Sequence, residues 1–344
     1  MRSLSLRAVL VGYGYWGPNL LRNLVSNQSF DVIGVIDSKT ERLQDAKRIS
    51  PRSAILGTYE NLEPDSYDCA FIATPPETHF EIASYFIKLG KHVWIEKPAV
   101  KSMSEYTELS RVAKENGVKV FVDHTFIFSP SVRELKRRIE GGDFGQILHV
   151  NSFRANLGIF QTEVDALSDL AIHDLAIIDY LFPKLAPLWV INLGFDPFNN
   201  GQDSINSLII QYEGGLSAAI QVNWISPVKK REFFVIGQKQ AASYDETDQN
   251  HKLKVFQQEF DILNGDYEDD ISKKTMFLTS YKTGDVTIPK LENHEALKIG
   301  VKEFAECILA GSAHSCEIGQ IKQIMVILEA ATKSAKSGGV KIHL

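Results

Sequence analysis

Four short segments hold residue types whose spacing suits chemistry. Gly12-Tyr13-Gly14-Tyr15-Trp16-Gly17 is a G-x-G-x-x-G run set between an apolar stretch, Leu6–Val11, and a helical pattern opened by Pro18. There Gly12 permits a tight turn, Gly14 lets the backbone approach a diphosphate, and Gly17 lets the helix lie close to the strand. Backbone N–H groups and the helix dipole would hold the anion, with Tyr15 and Trp16 as further loop contacts. Asp37 comes 20 residues after the last glycine, where a carboxylate can accept the hydroxyl protons of a ribose. That charge repels a 2′-phosphate and favours NAD. Ser38 and Arg42 stand beside it, and an arginine could accommodate the phosphate, which keeps NADP open.

The second segment is Thr74-Pro75-Pro76, which follows an apolar run and leads into a helix carrying His79. A turn at the carboxyl end of a parallel strand borders the ligand crevice, so His79 either touches a cofactor or caps its helix. The third is Glu96-Lys97-Pro98, again after an apolar run. Alone, Lys97 reads as an ordinary surface lysine. After such a strand it points toward the crevice where a nicotinamide would lie, and Pro98 fixes the turn, through a cis bond or otherwise. The fourth is Leu167–Leu181, in which Asp169 and His173 stand four apart and stack on one face of a helix. That pair reads as a helix stabilising itself or as a carboxylate orienting a basic imidazole.

The elements that must position these segments follow from periodicity. Apolar runs at Leu6–Val11, Val32–Ile36, Cys69–Ala73, His92–Ile95 and Val118–Val122 alternate with helical patterns, as in a parallel sheet covered on both faces. Ser38-x-x-Glu41 and Ser102-x-x-Glu105 read as capping boxes, and Gly90 as a helix stop. Residues 1–123 therefore form a doubly wound α/β domain. Beyond it, a helix at Ser131–Glu140, a strand at Ile147–Phe153 and a helix at Ser168–Leu181 precede strands at Trp189–Leu193, Ser207–Tyr212, Ser217–Trp224 and Phe233–Ile236. Gly214-Gly215 makes a hairpin turn. Residues 124–344 are expected as an α+β domain on an antiparallel sheet, closed by helices at Glu295–Leu309 and Gly319–Ser337. Between 245 and 286 the acids Glu259, Asp261, Asp266, Glu268, Asp269 and Asp270 read as a solvated excursion.

Strand–GYGYWG–helix, TPPETH and WIEKP together resemble the Gfo/Idh/MocA oxidoreductases, and the likeness continues through VDHTFIFSPSVRELK, DLAIHDLAIIDYL and ILEAATKSAKSGG. The resemblance implies an N-terminal Rossmann domain, a second domain with a large open sheet that pairs face to face in homo-oligomers, and a tightly held nicotinamide. It also implies that Lys97 works with Asp169 and His173 in oxidising a secondary alcohol. Either Lys97 or His173 could be the base, since burial and a cationic neighbour lower the pKa of a lysine. His124 and Thr125 are candidate nicotinamide or substrate contacts. Arg154 and Asn156 offer an arginine fork and an amide, and Lys229, Lys230 and Arg231 a basic cluster, for a diphosphate or uronate. RANLGIFQ and SDLAIHDL are similar to the branch acting on UDP-N-acetylglucosamine or its uronate at C3, although Ser168 departs from that branch's glycine or aromatic. The alternatives are a cyclitol or free-sugar dehydrogenase, a glycosidase using bound NAD, and a non-catalytic nicotinamide-sensing module.

Bulk properties bound the rest. The 344 residues are 44% hydrophobic and carry a net charge of −6, enough for about two domains and unsuited to a nucleic-acid partner. No apolar run reaches a membrane span. Cys69, Cys307 and Cys316 form no CxxC pair, so no metal is expected, and sparse cysteines suit a reducing cytoplasm.

Overall fold

The structure, a computed structural model, describes residues 5–158, 164–259 and 282–344. It divides into two compact units: residues 1–129 with 294–326, and residues 130–293 with 327–344.

The first unit runs β1 (Leu6–Val11), α1 (Gly17–Ser26), β2 (Phe30–Ile36), α2 (Thr40–Ile49), β3 (Ala54–Leu56), β4 (Cys69–Ile72), α3 (Pro76–Lys88), β5 (His92–Ile95), α4 (Met103–Glu115) and β6 (Val120–Val122). Its strands form one parallel sheet in the order β3-β2-β1-β4-β5-β6. The sequence reading lacked β3, whose three residues are too few for a pattern to show. Ser102 caps α4 by accepting the Glu105 N–H, and Gly90 follows α3 at φ +70°. The box expected at Ser38 does not form, because α2 begins later and Lys39 precedes it without a side-chain cap.

The second unit runs α5 (Pro130–Glu140), β7 (Ile147–Leu157), α6 (Ile172–Leu181), β8 (Pro187–Phe195), β9 (Ile205–Tyr212), β10 (Ser217–Asn223), β11 (Ile225–Gly237), β12 (Gln240–Asp245), β13 (Leu253–Glu259) and β14 (Lys282–Thr287). Its nine strands are ordered β14-β13-β12-β11-β7-β10-β9-β8-β15, where β15 is Ile342–His343. Among the described strands of this sheet only the β7–β10 pairing is parallel. Asp261, Asp266, Glu268, Asp269 and Asp270 lie outside the described residues.

A boundary at 123/124 with an undivided remainder is not what the chain adopts. α7 (Ala296–Ala310) returns to the first unit, and the chain leaves it again along α8 (Lys322–Lys336). The cause lies in the register of β4, β5 and β6, which lines up Phe71, Trp94 and Phe121. Phe304 of α7 covers all three, with ring centroids 5.4, 5.7 and 5.0 Å away. Without it a large aromatic surface would face water, at roughly 25 cal/mol per Å².

Candidate active site

The glycine loop leaves the end of β1 as its spacing predicts. A Cβ on Gly12 would meet the Ala73 carbonyl oxygen at 2.5 Å, and one on Gly17 the Gly12 oxygen at 2.4 Å. Both positions therefore demand glycine, Gly12 also because its φ is +97°. A Cβ on Gly14 would meet only the Arg42 guanidinium, at 3.6 Å, so this side of the loop is open. α1 starts at Gly17 with no side-chain cap and no acid in its first turn, an arrangement that accepts a diphosphate. Trp16 precedes the helix, and Tyr15 is almost fully exposed at 92%.

Asp37 ends β2 and is buried. Its carboxylate accepts the N–H groups of Tyr13 at 2.7 Å and Lys39 at 2.8 Å, and Arg42 stands 3.6 Å away. These bonds aim the acid at the loop, while Ser38 beside it is exposed. The residues thus fit a dinucleotide: a glycine cradle, an open helix end and a fixed carboxylate.

His79 is held by the backbone of two turns. It is 1% exposed, and its ring nitrogens lie 2.8 Å from the carbonyl oxygens of Pro98 and Thr74. It ties together the turns after β4 and β5. The Thr74 hydroxyl accepts that of Thr78, and Pro75 precedes α3. The Lys97–Pro98 bond is cis.

Around Lys97 the first unit gathers Glu96, Asp123, His124 and Thr125. Burial, with the Lys97 charge adding to it, holds His124 down at about 4. It is a neutral ring, 3% exposed, and neither nitrogen has a partner among the described residues. An imidazole with a donor and an acceptor unused in a buried place is suited to a ligand. Thr125 is otherwise engaged, since its hydroxyl donates to Asp123 at 2.7 Å. Burial and the neighbouring Asp123 raise Glu96 well above the usual carboxylate range. Glu96, half-buried there, is thus held toward its neutral form. Asp123 escaped the sequence reading, although parallel neighbours that end together would have set it beside Glu96.

In the second unit, Asp169 and His173 do not lie on one α-helix. Leu167–Ala171 is a π turn that runs into α6, so the α-helical count of four does not apply across it. Such turns recur at functional sites. Asp169 accepts the Trp224 indole N–H at 3.2 Å.

Arg154 is engaged within the second unit. Its guanidinium is 3% exposed and makes a two-point ion pair with Asp174, at 3.1 and 3.0 Å. The fork expected to bind substrate is occupied because a charge at that depth needs a counter-charge. Asp174, on α6, supplies it. Asn156 follows two residues later on β7 and is half-buried. In the basic cluster, Lys230 pairs with Glu232 and Arg231 with Glu246. Among the described residues no cluster of three or more His, Cys, Asp or Glu could hold a metal, and no helix is long and apolar enough to cross a membrane.

Residues 6–124 match the model of the oxidoreductase family's NAD-binding Rossmann fold, and residues 132–243 match the GFO/IDH/MocA C-terminal domain. The chain is 29% identical over 184 residues to the scyllo-inositol 2-dehydrogenase (NAD(+)) of Bacillus subtilis, a match covering 52% of this chain and 54% of that protein. The match thus spans about half the length of this relative. Two solved structures share the fold across nearly the whole chain. UDP-N-acetylglucosamine 3-dehydrogenase GnnA from Acidithiobacillus ferrooxidans is 19% identical, with a TM-score of 0.80 over 97% of this chain and 98% of that one. An inositol dehydrogenase homolog from Azotobacter vinelandii, complexed with NAD+, is 18% identical, with a TM-score of 0.80 over 99% and 97%. Glycine loop, Asp37 and the Lys97 turn all fall inside the first matched segment, and the two segments follow one another along the two units: the chain belongs to the Gfo/Idh/MocA oxidoreductase family and carries that family's NAD-binding Rossmann domain.

Proposed function

We propose that this protein is an NAD-dependent dehydrogenase that moves a hydride between a secondary alcohol of a sugar and nicotinamide. The observation that carries the reading is the cluster at the ends of β5 and β6, where Lys97 stands near a neutral, buried His124 with both ring nitrogens unused. Bound NAD would supply the hydride acceptor; the glycine loop would hold its diphosphate and Asp37 its ribose. Lys97 donates a hydrogen bond to the reacting oxygen, and His124 offers one donor and one acceptor to the ligand. Proton removal is assigned to His173, oriented by Asp169, on the family resemblance. A nicotinamide sensor would not need Lys97, Asp169 and His173 together.

As substrate we infer a UDP-N-acetylhexosamine or its uronate, oxidised at C3. Support comes from the RANLG and SDLAIHDL segments and from the fold shared with an enzyme named for that reaction. The second reading is a cyclitol, favoured by the inositol dehydrogenase relative. With Arg154 paired to Asp174, a diphosphate would have to be held by other groups, which strengthens this alternative. We further infer a homo-oligomer, dimer or tetramer, in a reducing cytoplasm where all three cysteines stay thiols.

The test is nicotinamide absorbance after adding UDP-N-acetylglucosamine, its uronate or myo-inositol to purified protein with NAD, at protein concentrations that reveal a single turnover. Reduction by a UDP-sugar alone supports the first reading, and reduction by myo-inositol the second. Tight NAD binding with no reduction by any of the three would overturn both substrate classes.

A further inference from the structure

β5 and β6 are parallel neighbours in the register Ile95–Val122. The residues that follow them, Glu96 and Asp123, are therefore set side by side, and the Asp123 N–H is bonded to the Ile95 carbonyl at 2.8 Å. Their side chains are hydrogen-bonded to each other, and Asp123 is 1% exposed. Glu96 is half-buried with its Oε1 shielded, and two carboxyl groups hydrogen-bonded to each other hold a proton between them. Hydrogen bonding decides which one keeps the proton. Asp123 Oδ1 accepts the Thr125 hydroxyl at 2.7 Å, and Oδ2 accepts the Trp16 indole N–H at 3.4 Å. Glu96 Oε1 is shielded from solvent and has no donor. Asp123 thus has two side-chain donors against the single Lys97 backbone N–H at Glu96, which favours the ion at Asp123, and the undonated Oε1 suits the carbonyl of a neutral acid.

We propose that Glu96 is a positioning residue: a neutral carboxylic acid that donates its proton to the Asp123 carboxylate, so that this pair anchors the turn from which Lys97 projects. Lys97 then has no ionised Glu96 beside it. The groups around the pair are Lys97 on the same turn, His124 next to Asp123, and the neutral donors Thr125 and Trp16. His124 is neutral at its value of about 4, so it adds no charge to the cluster. Burial, reinforced by Asp123, acts on Glu96 in the same direction. Trp16 gives the arrangement a second consequence, for it links the glycine loop to the Lys97 turn through Asp123. The catalytic consequence rests on the dehydrogenase reading; the protonation of Glu96 does not.

Two measurements on the whole protein separate these. Infrared difference spectra of wild type against Glu96→Gln, at neutral pH, should contain the carbonyl stretch of an un-ionised carboxylic acid in the wild type only. Carboxyl-13C glutamate labelling of the wild type reads the same state without a variant, as one carboxyl carbon at the un-ionised shift. A labelled spectrum in which every glutamate is ionised at neutral pH overturns the proposal, whatever the enzyme reduces. In turnover, Glu96→Ala should lose about a hundredfold in kcat, and Glu96→Gln, which keeps a donor without a charge, should restore most of it. Equal losses in the two variants would show that the charge of Glu96 is needed and would also overturn the proposal. A protonated Glu96 in a protein that reduces NAD with no alcohol would instead defeat the dehydrogenase reading alone.

Discussion

Lys97 has a demanding position, since a hydrogen bond to the reacting oxygen works only if the ammonium is held at the end of β5. Truncation removes that donor and leaves the glycine loop and Asp37 intact. Lys97→Ala should therefore lower kcat by about 10²–10⁴-fold while titration calorimetry finds NAD binding nearly unchanged. Normal turnover in that variant would remove Lys97 from the reaction. A different residue sets part of the pH dependence of stability. Burial raises Asp179, on α6, to about 6 from 3.8. A carboxyl that is easier to protonate in the folded state favours folding below pH 3.8, and that contribution is lost as pH rises through about 6. Asp179→Asn removes the buried charge and should stabilise the protein at pH 7 by up to about 2 kcal/mol. Urea midpoints should show a gain at pH 7 that shrinks toward pH 4.

At the scale of elements, the second unit is joined at depth by β7 and α6 through Arg154 and Asp174. Both are buried, so removing one leaves the other as an uncompensated charge. Arg154→Ala should cost about 3–5 kcal/mol in urea denaturation, and the double change Arg154→Met with Asp174→Leu should recover most of it. If the double variant is as unstable as the single one, the pair's role is something other than mutual neutralisation. The π turn at Leu167–Ala171 acts at this scale too. It alters the angular relation of Asp169 to His173, which sequence spacing had drawn on a regular α-helix. Trp224, at the end of β10, then fixes Asp169 from the sheet.

For the molecule as a whole, one face of the nine-stranded sheet carries helices: the Asn192 N–H is bonded to the Ser334 hydroxyl of α8. The alternate residues point the other way. Ile191, Ile209, Ala219, Asn151 and Phe234 follow one another across five strands, with Ile209 45% and Phe234 37% exposed. Leu193 and Phe195 add to the apolar surface. A patch of this kind suits association, and the homo-oligomer proposed above would pair it with a second copy of the same sheet. Sedimentation velocity should find an oligomer, and Ile209→Lys should shift it to a smaller species at the same concentration. A monomeric wild type would count against the pairing.

The cofactor domain was legible in the sequence because its determinants are local. The clash of a Cβ with the next turn requires Gly12 and Gly17, unbroken apolar runs mark strands buried on both faces, and the acid at Asp37 follows at a fixed distance. The identity of the Lys97 turn was legible for the same reason. What the tertiary structure alone decided were the partners of buried polar groups. Arg154 looked like a substrate fork until the fold brought Asp174 to it. His79, a candidate cofactor contact or helix cap in the sequence, meets the Pro98 and Thr74 carbonyls in the fold. Residues 294–326 looked like part of the second domain until the aromatic row of β4, β5 and β6 claimed Phe304. The partners lie from 5 to more than 200 positions away. Spacing along the chain carries no signal for such pairs, since only folding decides which neighbour each meets.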